Sequence, residues 1–104
     1  MVYNKVDFSN GKIYKITSSQ TDYIYIGSTG IPLKTRMGNH KYQHRKGCNN
    51  VSSQKILQYA DAMIVLMERY PCDTRDELLA REQHHMDLNK DICCMQHLPY
   101  QTFK

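Results

Sequence analysis

A chain of 104 residues has room for one domain with a thin core, because small domains keep much of their surface in water. No apolar run approaches the roughly 18 residues of a membrane span. The opening residues Met1-Val2-Tyr3-Asn4-Lys5 carry no signal-peptide apolar region, so the expectation is a soluble, intracellular chain, cytoplasmic or nuclear, with no membrane partner. The formal net charge of +4 is modest but uneven: residues 34–46 hold Lys34, Arg36, Lys41, Arg45 and Lys46, with His40 and His44 and no acid. Such a segment suits a phosphate backbone as well as it suits a solvated helix face.

The four cysteines, Cys48, Cys72, Cys93 and Cys94, are enough for two disulfides on count alone. Without a secretory signal, free thiols in a reducing compartment are the expectation. Adjacency of Cys93 and Cys94 disfavours a bond between them.

In chain order, residues 1–10 read as an irregular lead-in to a single domain over 11–104. Residues 12–17 set Ile13 and Ile16 around Tyr14 in a β-prone pattern. Residues 18–22 are a polar turn and 23–26 a second strand, so the two form an antiparallel hairpin. Period two puts Tyr23, Tyr25 and Gly27 on one face and Ile24 and Ile26 on the other. Gly27 ends the strand where a side chain would crowd an approaching backbone. Ser28, Thr29 and Gly30 form the connection to a helix over 32–45, with Pro32 in its first turn and Gly47 near its end.

Residues 49–53 are a polar loop, and 53–59 a short helix carrying Ile56 and Leu57. The apolar run 62–67, between Asp61 and Glu68, predicts a central strand buried on both faces, closed by Pro71. Thr74-Arg75-Asp76-Glu77 has the form of a capping box. It opens a second long helix reaching about Leu88, with Leu78, Leu79 and Met86 turned inward. From Asp91 the tail, with Ile92, Cys93, Cys94 and Leu98, is a short ordered segment. The order β-β-α-α-β-α implies an α/β fold: a small three-stranded antiparallel sheet flanked by helices.

Chemistry enters through the pair Tyr14 and Tyr25 on neighbouring strands. A phenol, with a reference pKa of about 10, is a poor base until a cation or metal lowers it. Arg36 is placed to do so and to steady charge on a phosphate. His40, four residues on, shares its helix face and can hold a tyrosine hydroxyl or move a proton. Glu82 offers an oxygen ligand for Mg²⁺, which keeps several waters and borrows substrate phosphate oxygens. Taken singly, strand tyrosines are packing residues and a helical Arg or Glu is solvated; their joint order is what points to chemistry. His84, His85, Cys93, Cys94 and His97 invite a zinc reading, but no Cys-x₂-Cys pair supports it. Met63, Met67 and Met86 are core filler.

These residues resemble the GIY-YIG nuclease family, as a single-domain, stand-alone member. Lys12-Ile13-Tyr14 matches the first motif and Tyr25-Ile26-Gly27 the second. The stretch from Leu33 to His40 carries the Arg and His, and Leu78, Leu79 and Glu82 match the metal-binding helix. The likeness spans roughly 11–99. It implies a metal-dependent DNA endonuclease that hydrolyses phosphodiester bonds by in-line attack of water, with one divalent cation, Mg²⁺ or alternatively Mn²⁺. Tyr25 is then the general base or water-orienting group assisted by Tyr14, Arg36 binds the scissile phosphate, His40 assists the tyrosine, and Glu82 binds the metal. Gly27, Lys34, Lys41 and Gln96 are the further substrate contacts expected. Two departures stand out: Gly11 lies one place before the position the family name gives it, and Met95 stands where the family often has a phosphate-positioning Asn, leaving Gln96 to supply an amide. Asn89 falls too early for that task. The alternative is a non-catalytic nucleic-acid-binding module of the same fold. Monomer and homodimer both stay open.

Overall fold

Side-chain alternation along two adjacent segments builds the sheet. The computed structural model describes residues 8–46 and 56–93. Strand β1 (Lys12–Ser18) and strand β2 (Thr21–Thr29) form the hairpin, helix α1 (Leu33–Arg45) follows, then strand β3 (Met63–Arg69) and helix α2 (Arg75–Leu88). The sheet order is β2-β1-β3 with both pairings antiparallel, the small three-stranded sheet with flanking helices that the sequence predicts.

Period two separates two cores. Tyr14, Ile16 and Tyr25 join Met37 of α1 and Ile56, Leu57 and Ala62 on one face. Ile13, Ile24 and Ile26 meet Leu78 and Met86 of α2 on the other. Each face thus carries one helix, and removing this apolar surface from water supplies the main driving force for the fold.

The apolar run 62–67 is not the central strand. β3 lies at an edge of the sheet, none of its residues is fully buried, and Met63 is 57% exposed. The middle strand is β1, despite Lys12 and Lys15. Lys12 keeps its stem along the sheet and sends its ammonium to the rim, where Nζ donates to the carbonyls of Asn10 (2.9 Å) and Ile31 (3.0 Å). A charged residue in a strand therefore did not mark an edge, and a continuous apolar run did not mark the centre.

Both hairpin strands run longer than predicted, with Ser28 and Thr29 inside β2 rather than in the connection, and only 19–20 left as the turn. The turn lacks the Asn-Gly type of sequence that favours tight hairpins. Asp61 compensates from across the sheet: its carboxylate accepts from the hydroxyls of Ser18 and Ser19 and from the Ser19 N–H at 3.0 Å. The predicted lead-in is ordered at its end, as a 3-10 turn over Phe8–Asn10. The Phe8 carbonyl accepts from the Gly11 N–H (3.1 Å) and the Cys72 N–H (2.9 Å).

Helix α1 begins one residue later than predicted, with Pro32 at its N-cap; Gly47 lies outside the described residues. Of the predicted short helix, Ile56 and Leu57 are helical and buried, and 53–55 lie outside the described residues. Ile92 and Cys93 close onto β2, where the Ile24 N–H donates to the Ile92 carbonyl at 2.9 Å. Cys94, Met95, Gln96, His97 and Leu98 lie outside the described residues, as does Cys48. Cys72 and Cys93 are free thiols. No helix among the described residues is long and apolar enough to cross a membrane.

Helix α2 starts on a complete capping box. The Thr74 hydroxyl accepts from the Glu77 N–H at 3.2 Å, and Glu77 Oε1 accepts from the Thr74 N–H at 3.1 Å. Substituting Thr74→Ala removes the first of these bonds. It is expected to cost about 1 kcal/mol of stability, read as a lower urea midpoint with an unchanged m-value.

Candidate active site

Cross-strand register places Tyr14 opposite Gly27, and the Tyr14 ring occupies the space a side chain at 27 would need. A Cβ there would lie 2.5 Å from Tyr14 Oη and 2.6 Å from Cζ. The sequence argument for Gly27 named an approaching backbone; the neighbour that requires glycine is the phenol. Packed with its hydroxyl end against Gly27, Tyr14 brings its hydroxyl to α1, where it meets His40 Nε2 at 2.8 Å and accepts from Arg36 Nε at 3.2 Å. Arginine only donates, so the phenol proton points to His40, and the imidazole carries its own proton on Nδ1.

Tyr25 is buried beside this pair and meets His40 edge-on, with ring centroids 5.4 Å apart. His40 therefore sits between the two tyrosines, hydrogen-bonded to Tyr14. The four-residue spacing of Arg36 and His40 brings both to one hydroxyl.

The carboxylate arrives from the other helix. Leu78, Glu82 and Met86 are the buried residues of α2, one row at four-residue spacing, and Glu82 is its polar member. Leu79, expected in that row, instead lines the cavity beside it. Ser28, which period two turns away from Gly27, donates its hydroxyl to Glu82 Oε1 at 2.5 Å. Oε2 takes no hydrogen bond from the described residues. Tyr14, Tyr25, Gly27, Arg36 and Glu82 all line one open cavity of about 400 Å³ at the end of the sheet.

Burial sets the charges. Desolvation pushes the Glu82 carboxyl up to about 7, against the opposing pull of Ser28, Arg36 and Arg75. It pushes His40 down to about 4, helped by the Arg36 cation, so the imidazole is neutral at pH 7 and free to accept. The Tyr14 phenol is raised, chiefly by burial and against Arg36, and is a neutral hydroxyl at physiological pH. Glu68 shows the opposite outcome. Arg81 binds it at 2.6 and 3.0 Å and His85 at 2.8 Å, and these hydrogen bonds, Arg81's first, hold it down at about 2. That carboxylate is satisfied by the protein and ties β3 to α2; Glu82 is left with one hydroxyl.

A single hard oxygen on an open cavity fits a divalent cation whose remaining positions go to water and phosphate. Among the described residues no three His, Cys, Asp or Glu side chains gather to hold a metal. His84 and His85 meet edge to face, with ring centroids 5.6 Å apart, and His85 Nε2 is engaged by Glu68. Lys34 and Lys41 are exposed and line a separate groove between α1 and β3, on the far flank of the helix from Arg36. Asn89 caps α2, its amide donating to the His85 carbonyl at 2.8 Å. Sequence reasoning missed Ser28 and Arg75 as parts of the cavity. Period two from Gly27 was the available signal for the first, and a seven-residue step back from Glu82 for the second.

Substituting Gly27→Ala is expected to displace the Tyr14 ring from both His40 and Arg36. Overpacking at such a buried contact costs about 1–3 kcal/mol, measurable by thermal or urea unfolding, and Tyr14→Phe in the same background is expected to recover part of that loss because the closest clashing atom is the hydroxyl.

Comparison with known proteins agrees with this constellation. No curated protein and no solved structure gives a significant match. The GIY-YIG catalytic domain, however, matches residues 10–96, nearly the whole chain. With the two tyrosine motifs paired on adjacent strands and the Arg, His and Glu gathered around them, the chain belongs to the GIY-YIG nuclease family.

Proposed function

We propose that this chain is a divalent-metal-dependent DNA endonuclease that hydrolyses a phosphodiester bond by in-line attack of water. The observation that carries this reading is the meeting, in one cavity, of a carboxylate with a free oxygen, an arginine and a phenol backed by a neutral imidazole. A divalent cation held by Glu82 would supply positive charge against the phosphate and the departing oxygen.

The remaining work falls to the protein's own groups. Arg36 spends only Nε on Tyr14, so its other guanidinium N–H groups are available to phosphate oxygens. They also offset negative charge as it builds during attack. Tyr14 Oη, in place of Tyr25 as the resemblance implied, orients the water and accepts its proton while passing the phenol proton to His40 Nε2, because Tyr14 is the phenol that the imidazole holds. A phenol held neutral works better in such a relay than as a free phenolate. Tyr25 packs against His40 and keeps the ring aligned, and it borders the same cavity. Lys34 and Lys41 hold the DNA backbone away from the reacting bond, where they supply affinity that weakens with salt.

Glu82 must be ionised to bind a cation. With its carboxyl raised to about 7, cleavage is expected to rise with pH through the neutral range. His40, already neutral above about 4, does not set that limb. A bound cation favours the carboxylate, so raising Mg²⁺ is expected to move the limb to lower pH.

The test is a cleavage assay on linear, nicked, branched and supercoiled DNA with Mg²⁺ and with Mn²⁺ between pH 6 and 9. Glu82→Ala is expected to abolish cutting, and Arg36→Ala to slow it by about 10²–10³-fold. Intact substrates under every condition, with DNA still bound, would overturn the nuclease reading in favour of a binding module. A pH limb that ignores the metal concentration would remove Glu82 from the metal.

A further inference from the structure

Arginine is poorly placed in the first turn of a helix, where backbone N–H groups carry partial positive charge and favour acids. Asp76 and Glu77 follow that rule in α2; Arg75, at its first position, works against it. Among the described residues no hydrogen bond or ion pair holds the Arg75 guanidinium, and the residue is exposed at the mouth of the catalytic cavity. Local stability therefore does not account for it.

The cavity has a second end that the hydrolytic chemistry does not use. Seven residues, about 10 Å of helix, separate Arg75 from Glu82. Between them Leu78 and Leu79 form a nonpolar wall, faced by Phe8 and Ile31. A phosphate is polar on every side and gains nothing from such a surface. The nonpolar part of a nucleic acid is the face of a base, exposed only when that base leaves its stack.

From this juxtaposition we infer that the Arg75 end of the cavity is a subsite for an unstacked nucleotide next to the scissile phosphate. The base lies against Phe8, Ile31 and Leu79, and the neighbouring phosphate meets Arg75. This rests on the proposed phosphodiester chemistry and adds a substrate class to it: DNA with an unpaired nucleotide beside the cut, in preference to continuous duplex. The subsite is continuous with the catalytic end, and its single cation complements the charge of the next phosphate along the strand.

Binding alone tests the inference, with EDTA present so that no strand is cut. The probes are a labelled duplex with a short bulge, the same duplex with abasic residues in the bulge, and the unbroken duplex. The bulged DNA is expected to bind about tenfold more tightly than the abasic one, the scale of one base against a nonpolar side chain. Leu79→Asp is expected to erase that difference. Arg75→Ala is expected to lower the slope of log affinity against log salt by about one, with Arg75→Lys restoring it, and to leave the thermal midpoint unchanged or higher.

Equal binding of bulged and abasic DNA would overturn the base subsite. A lower thermal midpoint for Arg75→Ala with an unchanged salt slope would make Arg75 structural and overturn its role. Neither readout depends on cleavage, so an uncut substrate in the assay above tells against the nuclease reading and leaves this one to its own results.

Discussion

The site depends on the Tyr14 phenol packing against Gly27. Only a residue without Cβ admits the ring, and only a ring lying there carries its hydroxyl to both Arg36 and His40. Tyr14 is at the same time one of the largest fully buried side chains. A core contact and a reactive contact are thus made by one side chain, and strand register fixes both. A one-residue slip in the hairpin would turn every side chain of one strand to the wrong face. Asp61 anchors the end of β1 and the turn through Ser18 and Ser19.

Burial then does opposite things to the two titrating groups that flank the phenol. It pushes the Glu82 carboxyl up to about 7 and keeps His40 unprotonated. Both effects hold the resting site near neutrality apart from Arg36, which limits the desolvation cost of gathering these groups. Comparison with Glu68 separates a carboxylate satisfied by the protein from one that is not. Glu68 is matched by Arg81 and His85 and sits far below the usual carboxylate range. Glu82 has the Ser28 hydroxyl and a second oxygen that takes no hydrogen bond from the described residues, an arrangement that suits the cation proposed above.

Much of this was legible in the sequence because it rests on local periodicity. The alternation around Tyr14 and Tyr25, the capping box at Thr74 and the four-residue step from Arg36 to His40 each follow from backbone geometry alone. The position of β3 was not legible. An apolar run reports that a strand meets nonpolar surface, and it says nothing about which strand lies in the middle; Lys12 and Lys15 then disguised β1. Ser28 was read as part of a loop because its partner, Glu82, lies 54 residues away. Lys34 and Lys41 show what sequence proximity leaves open: a charge cluster close to Arg36 divides between the two flanks of one helix, and only the Arg36 flank meets the cavity.

Two residues of α2 oppose the needs of the helix that holds them. Glu82 puts a carboxylate in a row otherwise filled by Leu78 and Met86, and Arg75 puts a cation where the helix dipole disfavours one. Neither improves packing or capping, and both open onto the same cavity. Residues that break a local rule without a local gain mark the places where a sequence answers to something other than its own fold. Here the two departures lie two turns apart on one helix face, with nonpolar side chains between them. The metal proposed at Glu82 would account for only the first. The second, and the nonpolar surface that joins it to the first, call for a substrate that extends beyond the reacting bond.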